Sequence, residues 1–405
     1  MRRPKLLIRL ATGSLAILLT SCAAIKAPKT LFITFGAPQE SFESDTEQTR
    51  SFFNTYIETF QHSNPDTSVV FNPYPNSQFF NQIKSDDRLN LGPDLIITEP
   101  LAAIELLALN LISELPDQKY LDSIYSPRIQ SEAKTTSGYT LAPWIVNPQI
   151  ACFDKTKIER SPKTTEDLEA ISSSGKKIGL ASNLLDLIWT AGTQGAISEL
   201  SSLGSKGTAS QSYPAIQKWL QWLQQAALYQ NISFHKEPRE LARKLKENEL
   251  DWVTCWGVRL GELKQAMGNR LGVAALPNGP TSKAFATYRI YGFSLGRNSS
   301  PTQRRMAMKF IRTSVNPIAQ RKLQLDGIGL LAANKNVFIP PESSRELAAL
   351  NNSFNKQSAS YSNELPGLKN YFQKNPQLGG TLEDLINGYL DVSEALQMIT
   401  TTQTE

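Results

Sequence analysis

The chain has 405 residues, enough for two or three domains, and it is 40% hydrophobic and 20% charged, as expected for a globular protein with a substantial core. It has only two histidines, His62 and His235, and three cysteines, Cys22, Cys152 and Cys255. This small set excludes a Cys/His zinc site with the usual paired spacing, and it leaves little for a histidine-centred catalytic triad.

Residues 1–21 predict an export signal, because basic residues precede an apolar stretch over 10–20. The stretch is about half of the ~20 residues that a membrane-spanning helix needs. Leu19, Thr20, Ser21 and Cys22 follow, and this sequence resembles the lipobox of bacterial lipoproteins. The resemblance implies cleavage before Cys22 and a palmitate-type lipid on Cys22, with residues 22–30 as a tether. The alternative is an ordinary signal peptide with an incidental cysteine.

The formal net charge of +5, from 42 basic and 37 acidic residues, is largely due to this signal. Residues 1–21 contain no acidic residue and four basic ones, namely Arg2, Arg3, Lys5 and Arg9. Cleavage therefore leaves 38 basic and 37 acidic side chains, a net charge of +1. A nearly neutral chain gives no support for a nucleic-acid partner.

The first half of the body predicts alternating strands and helices. Residues 31–35, 68–71 and 95–98 predict strands, because they are short, apolar and bounded by turn residues. A capping box at 44–47 predicts the start of a helix that ends before Asn64 and Pro65. The nearly all-apolar residues 101–111 predict a buried helix. Together these elements indicate an α/β fold with a mainly parallel sheet.

The same alternation returns in the second half. Residues 149–153 and 177–181 predict strands, a helix begins after Thr164, and another runs through 187–189. The polar stretches 201–212 and 351–363 predict loops. Two similar α/β halves fit the length of the chain.

Seven segments, in order along the chain, resemble motifs of the bacterial extracellular solute-binding proteins. These proteins are the receptors of ABC importers, and the match is to the sugar-binding group that includes maltose-binding protein. The segments are 60–66, 92–96, 138–144, 161–168, 271–277, 308–320 and 393–396. The sequence departs from the family at Cys152, Phe153 and Asp154, where tyrosines and an asparagine are usual, and at 251–256.

The resemblance implies the two-lobed periplasmic-binding-protein type II fold, in which hinge strands join two α/β lobes. By position, the chain would cross between the lobes near 144–148 and 287–292. Lobe one would then comprise 31–146 plus 291–335, and lobe two 147–290 plus 336–405. Ligand closes such lobes by hinge motion, and the importer recognises the closed form.

A sugar-binding cleft needs aromatic faces for the ring, and amide or charged groups for the hydroxyls. The resemblance places both kinds of residue near the cleft. The expected ligand-binding residues are Phe35, Glu99, Trp144, Asn147, Asn183, Asp186, Trp256, Arg289 and Tyr291. Trp144 is the strongest single candidate, because it follows Pro143 at a predicted hinge.

The remaining tryptophans are interpreted by their spacing. Trp189, Trp219 and Trp222 lie at helical spacing and are expected in the core. Trp252 and Trp256 are four residues apart, so in a strand they share a face, and both or neither should point to the cleft.

Cys152 and Cys255 leave two alternatives open. An oxidising exported setting would allow a disulfide between them, and both fall in predicted strands of one lobe. The other reading is two buried thiols that act as small apolar side chains.

The sequence thus predicts a lipid-anchored, monomeric receptor of an ABC importer on the periplasmic or extracellular face of the membrane. Its expected partners are a small solute, most of all a carbohydrate, the importer's permease subunits, and the membrane through the lipid. No nucleic acid, cofactor, metal or catalytic residue is expected, so the protein is not predicted to be an enzyme.

Three alternative functions stay open. One is a receptor for a non-sugar solute such as a polyamine, with Glu99 and Asp186 as candidate carboxylates; iron has only Tyr288 and Tyr291 as a hint. Another is a receptor-fold lipoprotein that acts as a sensor. The third is a secreted glycoside hydrolase, for which the sequence offers no paired-carboxylate motif.

Overall fold

The computed structural model of the protein describes residues 29–36, 47–206, 212–326 and 329–401. The export signal, Cys22, most of the tether and the start of the predicted capping box lie outside the described residues. Within the described ranges, no helix combines the length and apolarity needed to cross a membrane.

The strands of the described chain form one extended mixed sheet. Their order is β2-β1-β3-β10-β5-β8-β6-β7, with β4 beside β10, and β9 and β11 beside β5. The strands are β1 (Lys29–Phe35), β2 (Thr67–Phe71), β3 (Leu95–Thr98), β4 (Ile112–Ser113), β5 (Ala142–Asp154), β6 (Ile178–Ala181), β7 (Ile232–His235), β8 (Trp252–Trp256), β9 (Leu271–Ala274), β10 (Tyr288–Gly296) and β11 (Leu331–Ala332). β1 thus includes Lys29 and Thr30, which the sequence assigns to the tether.

Helices cover the sheet. They are α1 (Glu47–His62), α2 (Phe79–Arg88), α3 (Pro100–Ala108), α4 (Gln118–Ile124), α5 (Pro127–Ala133), α6 (Thr165–Ser173), α7 (Leu184–Leu187), α8 (Trp189–Thr193), α9 (Ala196–Lys206), α10 (Pro214–Leu228), α11 (Pro238–Lys246), α12 (Leu260–Met267), α13 (Pro301–Val315), α14 (Pro317–Leu325), α15 (Arg345–Asn352), α16 (Leu365–Lys374), α17 (Leu378–Ile386) and α18 (Val392–Thr400). Local chemistry sets several starts: Thr164 and Asp167 form a capping box on α6, as the threonine predicts.

The parallel strand pairs lie toward the two ends of the sheet, and antiparallel strands join them. β1 pairs in parallel with β2 and β3, and β6 does so with β7 and β8. Between them, β5 and β10 are antiparallel. The predicted parallel character therefore holds for each half, and the antiparallel centre was not predicted.

β5 is the longest strand and links the two halves. Its first part pairs with β10 and β11, and its second part pairs with β8 and β9. All of its 13 residues are buried, because neighbours cover both of its faces. In its register with β10, Asn147 lies opposite Arg289 and Ile145 lies opposite Tyr291, so the two predicted crossing segments lie side by side.

Two apolar clusters form the core. The first surrounds Trp144 and Phe293, and it continues through Ile150 and Cys152 of β5 to the inner faces of α11 and α12. The second is built by α8–α10 and α16–α18 around a group of buried tryptophans, Trp189, Trp219, Trp222 and Trp252. The predicted core positions of Trp189, Trp219 and Trp222 are confirmed.

The expectation that residues 101–111 form a fully buried helix is wrong. In α3, Ala102, Ala103 and Leu106 are buried, but Leu101 is 50% exposed and Ile104 is 39% exposed. Only one stripe of α3 packs on the sheet, so Leu101 and Ile104 stay outside the apolar core.

The two predicted loops are wrong at 201–206 and at 351–361, where the chain is helical. α9 continues through Lys206, and 207–211 lie outside the described residues. Residues 351–361 are helical, and five of them, including Ser353 and Gln357, are buried. Their polar side chains hydrogen-bond to the protein interior: Ser353 Oγ donates to the Gln149 carbonyl at 2.5 Å, and Gln357 Nε2 donates to the Leu276 carbonyl at 2.6 Å. Some polar residues of this segment are therefore buried, and hydrogen bonds satisfy their polar groups.

Cys152 of β5 and Cys255 of β8 form a disulfide across adjacent strands, with their Cα atoms 5.9 Å apart. The structure thus decides between the two alternatives that the sequence leaves open. The bond fastens the second part of β5 to its neighbour.

Candidate ligand-binding site

Arg289 of β10 lies at the centre of a buried polar group, with only 9% of its side chain exposed. Its Nη1 atom is 3.4 Å from Oε2 of Glu99, which follows β3 and precedes α3. The guanidinium carbon lies 5.2 Å from the centre of the Trp256 ring, at the end of β8. Residues from both halves of the sheet therefore meet at Arg289.

Asp186 extends this group on the side of the second half. Trp256 Nε1 donates to Asp186 Oδ1 at 2.6 Å, and Asn183 Nδ2 donates to Asp186 Oδ2 at 2.6 Å. Asn183 also caps α7, because its Oδ1 accepts from the backbone N–H of Asp186 at 3.1 Å. The backbone carbonyl of Asp186 accepts from Gln149 Nε2 at 2.7 Å, which fixes α7 against β5.

Burial changes the acidity of both carboxyl groups. It raises the pKa of Glu99, against the opposing effect of the Arg289 charge and of hydrogen bonds from Tyr291 and Arg289. Burial likewise raises the pKa of Asp186, opposed by the charge of Arg289 and by hydrogen bonds from Asn183 and Trp256. The charge of one buried guanidinium thus lowers the pKa of both buried carboxyl groups, against the effect of burial.

A cavity of about 190 Å³ adjoins this group. Glu99, Trp256 and Arg289 provide its polar and aromatic wall. Its apolar wall consists of Pro100, Leu101, Leu185, Ile188, Phe285, Ile290, Leu365 and Phe372. Elements from distant parts of the chain, α3, α7, β8, β10 and α16, thus surround one space.

Two charged residues on opposite helices also line the cavity. Glu132 of α5 accepts a hydrogen bond from Lys369 Nζ of α16 at 2.7 Å, and another from the Tyr288 hydroxyl at 3.1 Å. This contact joins α5 to α16 across the cavity lining.

The structure brings five of the nine predicted site residues together: Glu99, Asn183, Asp186, Trp256 and Arg289. Trp252 does not accompany Trp256, because it lies in the second apolar cluster with its Nε1 3.3 Å from Ser161 Oγ. The both-or-neither expectation is therefore wrong. Four residues along a strand span roughly 13 Å, so one ring reaches the cavity while the other stays in the core.

The other four predicted residues, Phe35, Trp144, Asn147 and Tyr291, are fully buried, and none of them lines the cavity. Trp144 is 1% exposed. Its ring centre lies 5.4 Å from that of Phe53, 5.0 Å from that of Tyr56 and 5.2 Å from that of Phe293. This is the position of a core residue, so the expected ligand contact at Trp144 stays a prediction.

Phe35 and Asn147 also have structural roles inside the protein. The Phe35 ring packs 6.0 Å from the Tyr291 ring, measured between ring centres. Asn147 Oδ1 accepts the backbone N–H of Val258 at 3.0 Å, so it holds the turn that follows β8. Any contact of these residues with a ligand likewise stays a prediction.

Sequence reasoning missed most of the apolar wall. Leu185 and Ile188 flank Asp186 shortly after the predicted strand 177–181. Their position after the end of a strand could therefore have indicated them. No sequence pattern could have indicated Phe372 and Lys369, because α16 lies far along the chain from the other elements of the site.

In the ranges that the structure describes, no three His, Cys, Asp or Glu side chains are placed to hold a metal ion. Asp186 instead accepts hydrogen bonds from Asn183 and Trp256, and Glu99 forms an ion pair with Arg289. Their arrangement suits non-covalent recognition.

A family model described as bacterial extracellular solute-binding protein matches residues 55–350. The chain belongs to this family. This solute-binding protein therefore comes from a family of binding proteins, as its motifs predict. Among curated proteins, none matches the chain.

Solved structures share the fold of this solute-binding protein at low sequence identity. The GacH receptor of Streptomyces glaucescens, solved unliganded and with acarbose, is 13% identical, with 92% of this chain and 97% of that chain covered and a TM-score of 0.70. MalE3 of T. maritima, with maltose bound, is 16% identical, with coverages of 92% and 98% and a TM-score of 0.64. A solute-binding protein of Agrobacterium radiobacter in complex with ribitol is 15% identical, with coverages of 92% and 97% and a TM-score of 0.67. The predicted two-lobed fold is confirmed.

Proposed function

We propose that this solute-binding protein is a lipid-anchored receptor of an ABC importer, which binds a carbohydrate or polyol between two lobes. Lobe one would comprise 31–146 plus 291–335, and lobe two 147–290 plus 336–405. The protein would act as a monomer on the outer face of a membrane and deliver its solute to permease subunits.

The observation that carries the proposal is the composition of the cavity wall. The Trp256 ring offers an aromatic face, and Glu99 and Arg289 offer hydrogen-bonding groups beside it. Sugars and polyols combine apolar C–H faces with hydroxyls, so they require this pairing. The structural relatives were solved with acarbose, maltose and ribitol, which are ligands of this chemistry.

The position of the cavity supports hinge closure. Glu99 and Leu101 lie in the proposed lobe one, whereas Ile188 and Phe372 lie in the proposed lobe two. The crossing strands β5 and β10 pass beside the cavity and are paired with each other. A solute that contacts both walls would stabilise their closed arrangement.

A polyamine is the less favoured solute because of Arg289. The two carboxylates that would bind ammonium groups, Glu99 and Asp186, already interact with the Arg289 guanidinium. A cationic solute would have to displace this buried cation or bind beside it, and either carries a cost in free energy.

A thermal-shift screen with maltose, monosaccharides, ribitol and spermidine tests the proposed ligand class, because a ligand specific for the native state raises the melting temperature. We expect sugars or polyols to do so and spermidine not to. Trp256→Phe should abolish the shift. Trp222→Phe is the matched control, since the Trp222 indole also donates to a carboxylate, Glu169, at 2.7 Å but lies outside the cavity. If spermidine alone raised the melting temperature, the proposed solute would be a polyamine and not a carbohydrate.

The lipid anchor has a separate test. Mass spectrometry of the protein recovered from membranes should find an acylated Cys22, and Cys22→Ala should release the protein from the membrane. Membrane retention of Cys22→Ala without acylation would favour an uncleaved signal instead.

A further inference from the structure

α13 carries a row of exposed basic side chains. Arg305, Lys309 and Arg312 are exposed and spaced i, i+4, i+7, so they lie on one face of the helix. The opposite face is buried through Met306 and Phe310. The buried side packs α13 against the core, so the basic row lies on the outer side of the helix.

Two surface hollows, of about 380 and 410 Å³, flank this row and share Arg305 and Lys309. Five basic and two acidic residues line the hollows: Lys29, Arg304, Arg305, Lys309 and Arg312, with Asp66 and Asp117. The face thus carries a formal charge of +3, while the whole chain after residue 21 carries only +1. Asp117 is paired with Arg312 at 2.6 Å, which leaves the charges around Lys309 to dominate.

α14 packs against α13 and carries exposed apolar groups of its own. Ile318 is 83% exposed and Leu325 is 56% exposed. Arg321 and Lys322 are exposed between them at i+3 and i+4 from Ile318, so all four lie on one helix face. Exposed aliphatic side chains next to basic ones are typical of helices that lie on a membrane surface.

The start of β1 places this face close to the proposed anchor. Lys29 lies in the wall of the first hollow and is only seven residues beyond Cys22. Seven extended residues reach at most about 25 Å. A lipid on Cys22, as proposed above, would therefore keep the bilayer within reach of α13.

We propose that the outer faces of α13 and α14 form a docking surface for an anionic lipid bilayer. The basic row binds phosphate headgroups electrostatically, and Ile318 and Leu325 enter the boundary between headgroups and acyl chains. This contact orients the anchored body so that the first half of the sheet lies against the membrane. The inference rests on the proposed lipid anchor for its setting, and its test does not require the lipid.

The experiment is co-sedimentation of the full chain carrying Cys22→Ser with vesicles of phosphatidylcholine, alone or mixed with phosphatidylglycerol. The decisive variant is Arg305→Glu with Lys309→Glu. The matched control is Lys218→Glu with Lys264→Glu, which changes the charge equally at exposed lysines that, among the described residues, form no ion pair. Residues 1–21 are the same in all these chains, so their contribution cancels.

We expect stronger binding to the mixed vesicles. Each basic residue near an anionic surface contributes roughly a factor of five, and Glu adds repulsion, so the decisive variant should bind at least about 25-fold more weakly and the control within about twofold of the parent. Added sodium chloride should remove the difference, because the Debye length shortens from about 10 Å at 0.1 M to about 3 Å at 1 M. Retained melting temperatures show that the variants are folded.

Three outcomes would overturn the inference: equal binding to both vesicle types, equal losses in the two double variants, or release by inorganic phosphate well beyond that by sodium chloride of equal ionic strength. The last outcome would indicate a site for free phosphate instead. The proposed receptor function fails in different experiments, through a missing thermal shift with sugars or an unmodified native Cys22. Such a failure would leave the difference in binding between the two vesicle types unchanged.

Discussion

Arg289 is the residue on which the candidate site depends, because its guanidinium interacts with two buried carboxyl groups that come from opposite halves of the sheet. The sequence pointed to Arg289, Glu99 and Asp186 through family resemblance. It could not show that they neutralise one another, because 190 residues separate Glu99 from Arg289 and no local pattern links them.

Arg289→Met should therefore strongly destabilise the protein. Loss of one partner leaves buried carboxylates uncompensated, at a cost of about 3–5 kcal/mol in the free energy of unfolding. Urea unfolding measures this loss. Adding Glu99→Gln and Asp186→Asn should recover most of it.

The control for this prediction is Arg312→Met. Arg312 is 58% exposed in its ion pair with Asp117, and exposed pairs contribute about 0.2–1 kcal/mol. Equal losses for Arg289→Met and Arg312→Met would contradict the burial argument.

His235 gives the protein a predicted sensitivity to mild acid. It is half-buried in β7, 3.0 Å from Ser233 Oγ, and burial lowers its pKa despite the nearby carboxylate of Glu240. The unfolded chain, with a pKa of about 6.5, then binds more protons than the native state just below that pH. The contribution of neutral His235 to the free energy of unfolding is fully present above about pH 6.5. It is lost as the pH falls through the native pKa of His235.

His235→Gln should consequently flatten the fall in unfolding free energy below about pH 6.5, relative to the parent protein. Carboxyl groups titrate in both proteins, so the difference between their urea curves isolates His235. NMR titration should give the His235 ring a pKa below the ordinary value. A raised pKa would reverse the sign and contradict the prediction.

At the scale of single elements, short apolar segments were the most predictable. Residues 95–98 form β3 as expected, because a run of four buried apolar or β-branched residues after a turn has few alternatives. Exposure was less predictable. The exposed stripe of α3 and the burial of Ser353 and Gln357 both depend on tertiary contacts, which local hydrophobicity does not encode.

The disulfide between β5 and β8 gives a prediction for elements. Cys152→Ala with Cys255→Ala should lower the unfolding free energy by about 2–4 kcal/mol, because the closed loop restricts the unfolded chain. Dithiothreitol should lower the stability of the parent protein similarly and leave the double variant unchanged. A double variant that still responds to the reductant would contradict this assignment.

At the scale of the whole molecule, ordered motifs predicted the two-lobed fold. The segments 144–148 and 287–292, predicted as crossings between the lobes, lie side by side at the pairing of β5 with β10, and their role as crossings stays a prediction. The cavity was less predictable. Part of its wall comes from α16, which follows both predicted crossing segments in the chain, and no spacing in the sequence indicates that Phe372 and Leu101 line the same space.

The contact between Glu132 of α5 and Lys369 of α16 predicts a small change in overall shape. Lys369→Ala should favour separation of these helices, and small-angle scattering of the unliganded protein should then give a larger radius of gyration. Because Lys369 is 44% exposed, the shift in population should be at most about fivefold. Lys374→Ala, an exposed lysine on the same helix, is the control, and an equal expansion there would contradict the prediction.

The bond between Cys152 and Cys255 also has a consequence for when the protein becomes stable. Members of an extracellular family are made in a reducing compartment and must cross a membrane before they work. Without the bond, β5 is held to β8 by hydrogen bonds and packing alone. On the proposed export route, the newly made chain would therefore be easier to keep unfolded, and it would gain its final stability only after the bond forms outside the membrane.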